Sequence, residues 1–201
     1  MNPLNTIAGT IVGGVILAVI LIVATLGNHI VVMPSANSVI LWLHVLAGIT
    51  WIGLLYYFNF IQVPVLAKAA SDDDGPRITE YIAPNAMNWH RWTALAAWIT
   101  GVSYLAHIGQ LDDAFALGML TESVNSYALT IGIGAWLGTI MLFNVWVLIW
   151  PNQKKVLGMV EATAEEIAKG KRIAFLASRS NTLMSIPMVM SMVGSHHGFA
   201  M

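Results

Sequence analysis

Between Ser38 and Val63 the chain reads SVILWLHVLAGITWIGLLYYFNFIQV, twenty-six residues with no Asp, Glu, Lys or Arg. At about 1.5 Å per residue, such a helix crosses a hydrocarbon core of roughly 30 Å with some tilt. One ionisable side chain, His44, lies inside it. An ionisable group is costly in lipid, so it faces protein and commonly has a function there. What His44 faces decides how the rest of the chain is read.

The composition agrees with a membrane solvent. Hydrophobic residues make up 57% of the 201 positions and charged residues 9%, against roughly 25% charged in soluble domains. The expected fold is therefore an all-α integral membrane protein, a single membrane domain over residues 1–201. There is no cysteine, which excludes disulfides, thiolate-held metals, iron–sulfur clusters and haem attached through Cys-x-x-Cys-His. Any metal or haem must rest on His, Met or oxygen ligands. The formal net charge of -1 gives no sign of a nucleic-acid partner; the expected partners are the lipid bilayer and other membrane subunits.

Five transmembrane helices are expected, at about 7–27, 38–63, 92–111, 125–150 and 173–195. The first reads as a retained span rather than a signal peptide, because no basic residue precedes it. Residues 64–91, with Gly75, Pro76 and Pro84, and residues 151–172 read as loops. In the second loop Val156, Val160, Thr163 and Ile167 share a helical face, which suggests a short interfacial helix. All nine basic residues fall on one side of these spans: Lys68, Arg77, Arg91, Lys154, Lys155, Lys169, Lys171, Arg172 and Arg179. The positive-inside rule then places the N-terminus in the cytoplasm and the C-terminus outside.

WIGLLYYFN at 51–59 and WLGTIMLFN at 136–144 share Trp, Gly, Phe and Asn at one spacing. The repeat suggests two related hairpins that form a four-helix bundle, with the N-terminal helix peripheral to it.

With this orientation five of six histidines, His29, His44, His107, His196 and His197, lie toward the outer side; His90 alone lies at the inner one, in Asn88-Trp89-His90-Arg91-Trp92. A single membrane histidine can merely hydrogen-bond a neighbouring helix. Five on one side favour ligand roles. His44, Gly48, Trp51 and Leu55 share a face of the second span, and glycine one turn from a histidine leaves room for a flat ligand. That pattern suits haem b, with His44 as one axial ligand and His196 or His107 as the other. On the last span Asn181, Ser185, Met188, Met192 and His196 line one face. Met188, Met192, His196 and His197 alternatively form a thioether and imidazole set suited to copper, although methionine also fills ordinary apolar gaps. Arg179 and the amides of Asn59, Asn144 and Asn181 make a polar group nearer the inner side; Arg179 either snorkels to the interface or pairs with a haem propionate. No arrangement for hydrolysis is present.

LWLHVLAGITWIGLLYYFNF in the second span, Trp92-Thr93-Ala94 to Trp98-Ile99-Thr100-Gly101 in the third, LGTIMLFNVWVLIWPNQKKV in the fourth and SNTLMSIPMVMSMVGSHH in the fifth resemble, in order, the membrane domain of the cytochrome-c-linked urate oxidase (urate hydroxylase) family. The resemblance covers about residues 38–197. It implies a membrane oxidoreductase domain of the bacterial inner membrane that passes electrons to a periplasmic cytochrome c, with His44 and His196 where the family pattern has histidine. The chain departs from that pattern at Asn88, Gly132 and Ser180, where family members carry histidine, and it is shortened and lacks the cytochrome c domain. These departures point away from urate oxidation by this chain alone. They leave two expectations, a b-type haem electron-transfer subunit and a non-catalytic accessory subunit of a respiratory or oxygenase complex.

Overall fold

The computed structural model describes residues 2–25, 35–69, 75–120 and 123–197. His29, the end of the first expected span, Asp72 to Asp74 and Glu122 lie outside them. The described residues are helical throughout, with no strand among them. They divide into two units, Met1–Ala36 and Asn37–Met201.

In the first unit Asn2 caps a 3-10 turn, Pro3–Asn5, by accepting from the Leu4 amide (2.9 Å). Helix α1, Ile7–Thr25, follows, and the Thr6 hydroxyl accepts from the Gly9 amide (3.0 Å) at its start. Its apolar side chains are exposed, from Ile7 to Val23.

The second unit contains α2 (Ala36–Ala69), α3 (Gly75–His107), the short α4 (Leu111–Phe115), α5 (Ser126–Val156) and α6 (Ala164–His197). Among the described residues α2 and α5 are long and apolar enough to cross a membrane. Both contain one π-helical turn, Tyr57–Gln62 in α2 and Asn144–Ile149 in α5. The paired sequences Trp51–Asn59 and Trp136–Asn144 thus both run from α-helix into a π turn, which begins at Tyr57 in the first and at Asn144 in the second.

Two expected loops are largely helical. α3 starts at Gly75 and runs through Pro84, and Pro76 occupies its first turn, where proline loses no intrahelical hydrogen bond. Residues 151–156 extend α5 and residues 164–172 open α6. The short interfacial helix expected across Val156 and Ile167 is therefore not one helix. Val156 ends α5, Gly158 turns the chain at φ +67°, and Thr163 caps α6. That cap is reciprocal: the Thr163 hydroxyl accepts from the Glu166 amide (3.2 Å), and the Glu166 carboxylate accepts from the Thr163 amide (2.9 Å).

One buried cluster draws on four helices, with Trp51 and Leu55 of α2, Ala94 and Ala97 of α3, Met141, Val145 and Ile149 of α5, and Ala177 and Met188 of α6. α5 and α6 form the most extensive pair. Gly134 permits this approach, since a Cβ there would lie 3.2 Å from Ser191 Cβ and 3.1 Å from Met192 Cε. The Ala36–Tyr56 part of α2 stands farther from its neighbours and reaches them through long side chains such as Trp51 and Leu55. Outward faces remain apolar, with Leu183 71% and Ile186 65% exposed. Exposed apolar surface of this extent needs a non-aqueous or protein neighbour.

Candidate functional site

Because α2 stands off from α3, α5 and α6, a cavity of about 580 Å³ opens between them. His44, Gly48 and Trp51 of α2 line it, facing Trp98 and Gly101 of α3, Gly138 of α5, and Met188, Met192, His196 and His197 of α6. The imidazole of His44 is fixed on one edge. Its Nδ1 lies 2.8 Å from the Ala97 carbonyl oxygen, which can only accept, so Nδ1 carries a proton and donates. This is the arrangement that orients ligating histidines, in which one ring nitrogen donates to a backbone carbonyl and the other is left as the electron-pair donor. Gly101 makes the fit possible, since a Cβ there would stand 2.9 Å from His44 Cε1 and 3.1 Å from Nδ1. At Gly48 a Cβ would meet nothing within 4 Å, so the glycine does leave open space beside the histidine.

Across the cavity, His196 Nδ1 is 3.0 Å from the Ser195 hydroxyl, and its ring meets Tyr127 edge-on at 5.4 Å. Met188 is buried, and its sulfur would lie 3.6 Å from a Cβ on Gly138. On α3 the Trp98 indole donates to Thr139 Oγ1 of α5 (2.9 Å), which holds that wall in place.

The wall chemistry fits a haem: it is apolar, and His44 presents a ring whose second nitrogen is the natural ligand atom. For a bare ion the donors are fewer. Among the described residues no group of three or more His, Cys, Asp or Glu converges, so an ion would depend on the sulfurs of Met188 and Met192.

The structure brings His44, Gly48, Trp51, Met188, Met192, His196 and His197 to one cavity and keeps His107 and Arg179 away from it. Helical azimuth is the reason for His107, and for Arg179 also depth, since it lies on the inner side of Asn181. Successive residues turn by about 100°, so a residue two positions away faces roughly the opposite side. His107 is two residues past the buried Leu105, and Arg179 is two residues before Asn181, which has 0% exposure. Both are exposed. The Arg179 guanidinium lies 5.3 Å from the Phe175 ring centre.

Below the cavity, polar side chains join α2 and α5 to α6. The Tyr56 hydroxyl is 3.0 Å from Ser185 Oγ, Asn59 Nδ2 donates to Ser178 Oγ (2.8 Å), and Asn144 Nδ2 donates to Asn181 Oδ1 (2.8 Å). Asn181 in turn donates to the Met141 carbonyl (3.0 Å). Asn144 and Asn181 therefore bond each other, and Asn59 bonds α2 and α6, without Arg179. With Leu55, Met141 and Val145 they form a closed layer, all buried.

Beyond that layer lies a second cavity, of about 950 Å³. It is lined by Phe58, Asn59 and Gln62 of the α2 π turn, Pro84, Met87 and His90 of α3, Ile149 of the α5 π turn, and Lys171, Arg172, Phe175 and Ser178 of α6. Sequence reasoning sets His90 apart as the one inner-side histidine and gives it no part in the haem or copper sets. In the structure His90 is 2% exposed and meets Phe58 edge-on at 5.4 Å. Among the described residues its Nε2 is buried without a hydrogen-bond partner, as is Gln62 Oε1. Next to it Arg91 sits among indoles, 3.9 Å from the Trp150 ring centre and 5.4 and 5.7 Å from those of Trp92 and Trp146.

No curated protein and no solved structure matches the chain. A family model does match part of it. The matched segment begins in α4 and takes in α5 and α6, and so supplies Met188, Met192, His196 and His197 but not His44. Over residues 112–201 the chain is similar to the family described as urate oxidase N-terminal.

Proposed function

We propose that the chain is a multi-pass membrane subunit that binds a b-type haem in the cavity between α2 and α6 and passes electrons within a larger oxidoreductase complex or to a periplasmic cytochrome c. The observation that carries this reading is His44: its Nδ1 is committed to the Ala97 carbonyl, and its ring lines an apolar chamber of about 580 Å³. His44 and His196 would hold the haem iron. Gly48 and Gly101 leave the space, and Trp51, Met188 and Met192 exclude water. A haem held there supplies one-electron chemistry at its iron. Similarity to the urate oxidase N-terminal family over residues 112–201 supports an oxidoreductase setting.

In this reading α1, α2, α3, α5 and α6 each span the bilayer, the last four as a bundle. Basic residues at the His90 end place that end in the cytoplasm. The His44 cavity then opens toward the periplasmic side.

A reduced-minus-oxidised absorption spectrum with a pyridine haemochrome assay, on protein purified gently in detergent, tests the proposal. The expected result is a b-type signal near one haem per chain that disappears in His44→Ala. A His44→Ala protein with a full haem spectrum would sink the assignment. A second reading is favoured by the presence of Met188 and Met192 in the same wall as His196 and His197: copper bound by sulfur and imidazole. It predicts stoichiometric copper, no haem bands, and loss of the metal in Met188→Leu. Absence of both cofactors, with stoichiometric copurification of larger subunits, would identify an accessory subunit.

A further inference from the structure

The second cavity has features that the haem reading does not use. Two buried polar atoms in its wall, His90 Nε2 and Gln62 Oε1, have no partner among the described residues. Leaving such a group unsatisfied costs about 1–3 kcal/mol, so a pair of them in one cavity points to a ligand. The backbone points the same way. Gln62, Asn59 and Phe58 reach the cavity from a π turn, a rare helical geometry that is frequently found at functional sites.

The unpartnered atoms limit what the ligand is. Gln62 Oε1 accepts only, so the ligand carries a donor; His90 Nε2 accepts or donates according to its tautomer. An anion offers acceptors alone and leaves Gln62 Oε1 unsatisfied, even though Lys171 and Arg172 stand exposed at the rim. Most of the remaining wall is apolar, including Phe58, Met87 and Phe175. A volume of about 950 Å³ lies at the upper end of the roughly 300–1,000 Å³ of small-molecule pockets, which leaves room for a hydrocarbon group beside a ring.

We infer that the His90 cavity binds a lipid-soluble hydroquinone, whose hydroxyl donates to Gln62 and whose second oxygen meets His90. The inference is independent of whether the other cavity holds haem. The oxidised quinone has no hydroxyl to give Gln62, so the reduced form binds more tightly.

The test uses the full chain in detergent, with decylubiquinol and decylubiquinone as probes in anaerobic titration calorimetry. Saturable binding near one per chain is expected, about tenfold tighter for the reduced form, the equivalent of one hydrogen bond. His90→Leu and Gln62→Met should each weaken decylubiquinol binding about tenfold or more, and Gln62→Met should abolish the preference for the reduced form. If His90→Leu does not fold, as judged by its thermal transition, Gln62→Met decides alone. Lack of saturable binding overturns the inference, and so do wild-type affinities in both variants. Competition by dodecyl phosphate, with binding lost in Lys171→Gln and Arg172→Gln but not in Gln62→Met, would also overturn it and identify an anionic amphiphile instead.

Discussion

The two cavities each contain a histidine surrounded by apolar helices, and they treat it differently. At His44 one ring edge is tied to the Ala97 carbonyl and the ring rests against Gly101, which fixes both tautomer and orientation. At His90 burial is more complete, yet Nε2 has no partner among the described residues, and Gln62 Oε1 of the same cavity shares that condition. Burial alone therefore does not tell a metal ligand from a hydrogen-bonding wall. The bonding state of the ring does: a committed Nδ1 suits coordination by the other nitrogen, and an uncommitted pair of polar atoms suits a ligand that brings its own donor.

The largest expected effect comes from exchanging the lesions. His44→Ala should remove essentially all haem absorbance and leave decylubiquinol binding intact, while His90→Ala should do the opposite; equal loss of both signals in either variant would erase the distinction. Gly101→Ala sharpens it from the His44 side. The added methyl presses on the imidazole, and the strain, about 1–3 kcal/mol as for other overpacked sites, should appear as a lower thermal midpoint and reduced haem content. Asn181→Ala acts on the layer between the cavities by leaving the buried Asn144 amide without its acceptor. A cost of about 1–2 kcal/mol, the upper range for interhelical polar contacts in membranes, is expected in denaturation, with both ligands retained. The smallest effect lies at the Thr163 cap. Bonds from the Thr163 amide and hydroxyl, then the Lys155 charge 3.5 Å away, hold the Glu166 carboxyl below its ordinary pKa. A depressed carboxyl stabilises the fold above its unfolded pKa and loses that contribution as pH falls through the folded value. Acid titration should thus show a slight loss of α6 stability below the ordinary carboxylate range, absent in Glu166→Gln, with neither cavity affected.

Much of the His44 cavity was legible in the sequence because its signals are periodic. His44, Gly48 and Trp51 lie on one face by helical spacing, as do Asn181, Ser185, Met188, Met192 and His196, and those faces do line the interior. Depth along a span was legible too, but azimuth was not. His107 has the right depth and turns the other way, because it is two residues from the buried Leu105. The His90 cavity was hidden by two local effects. Its π turn adds a residue to the helical period just where Phe58, Asn59 and Gln62 enter, so a strict 3.6 pattern loses them. Gly75, Pro76 and Pro84 read as loop punctuation, although proline in a first turn is compatible with a helix.

Gly132 carries a consequence of a different kind. It is buried in α5, and a Cβ built on it would overlap the carbonyl oxygen of Ala114 in α4. That carbonyl is held from several directions, since Asn125 ties Asp113 to the start of α5 through its side chain (2.9 Å) and the Trp136 indole donates to the Phe115 carbonyl (3.0 Å). A side chain at position 132 therefore meets backbone rather than a movable side chain, and it is accommodated only when the turn around Ala114 shifts.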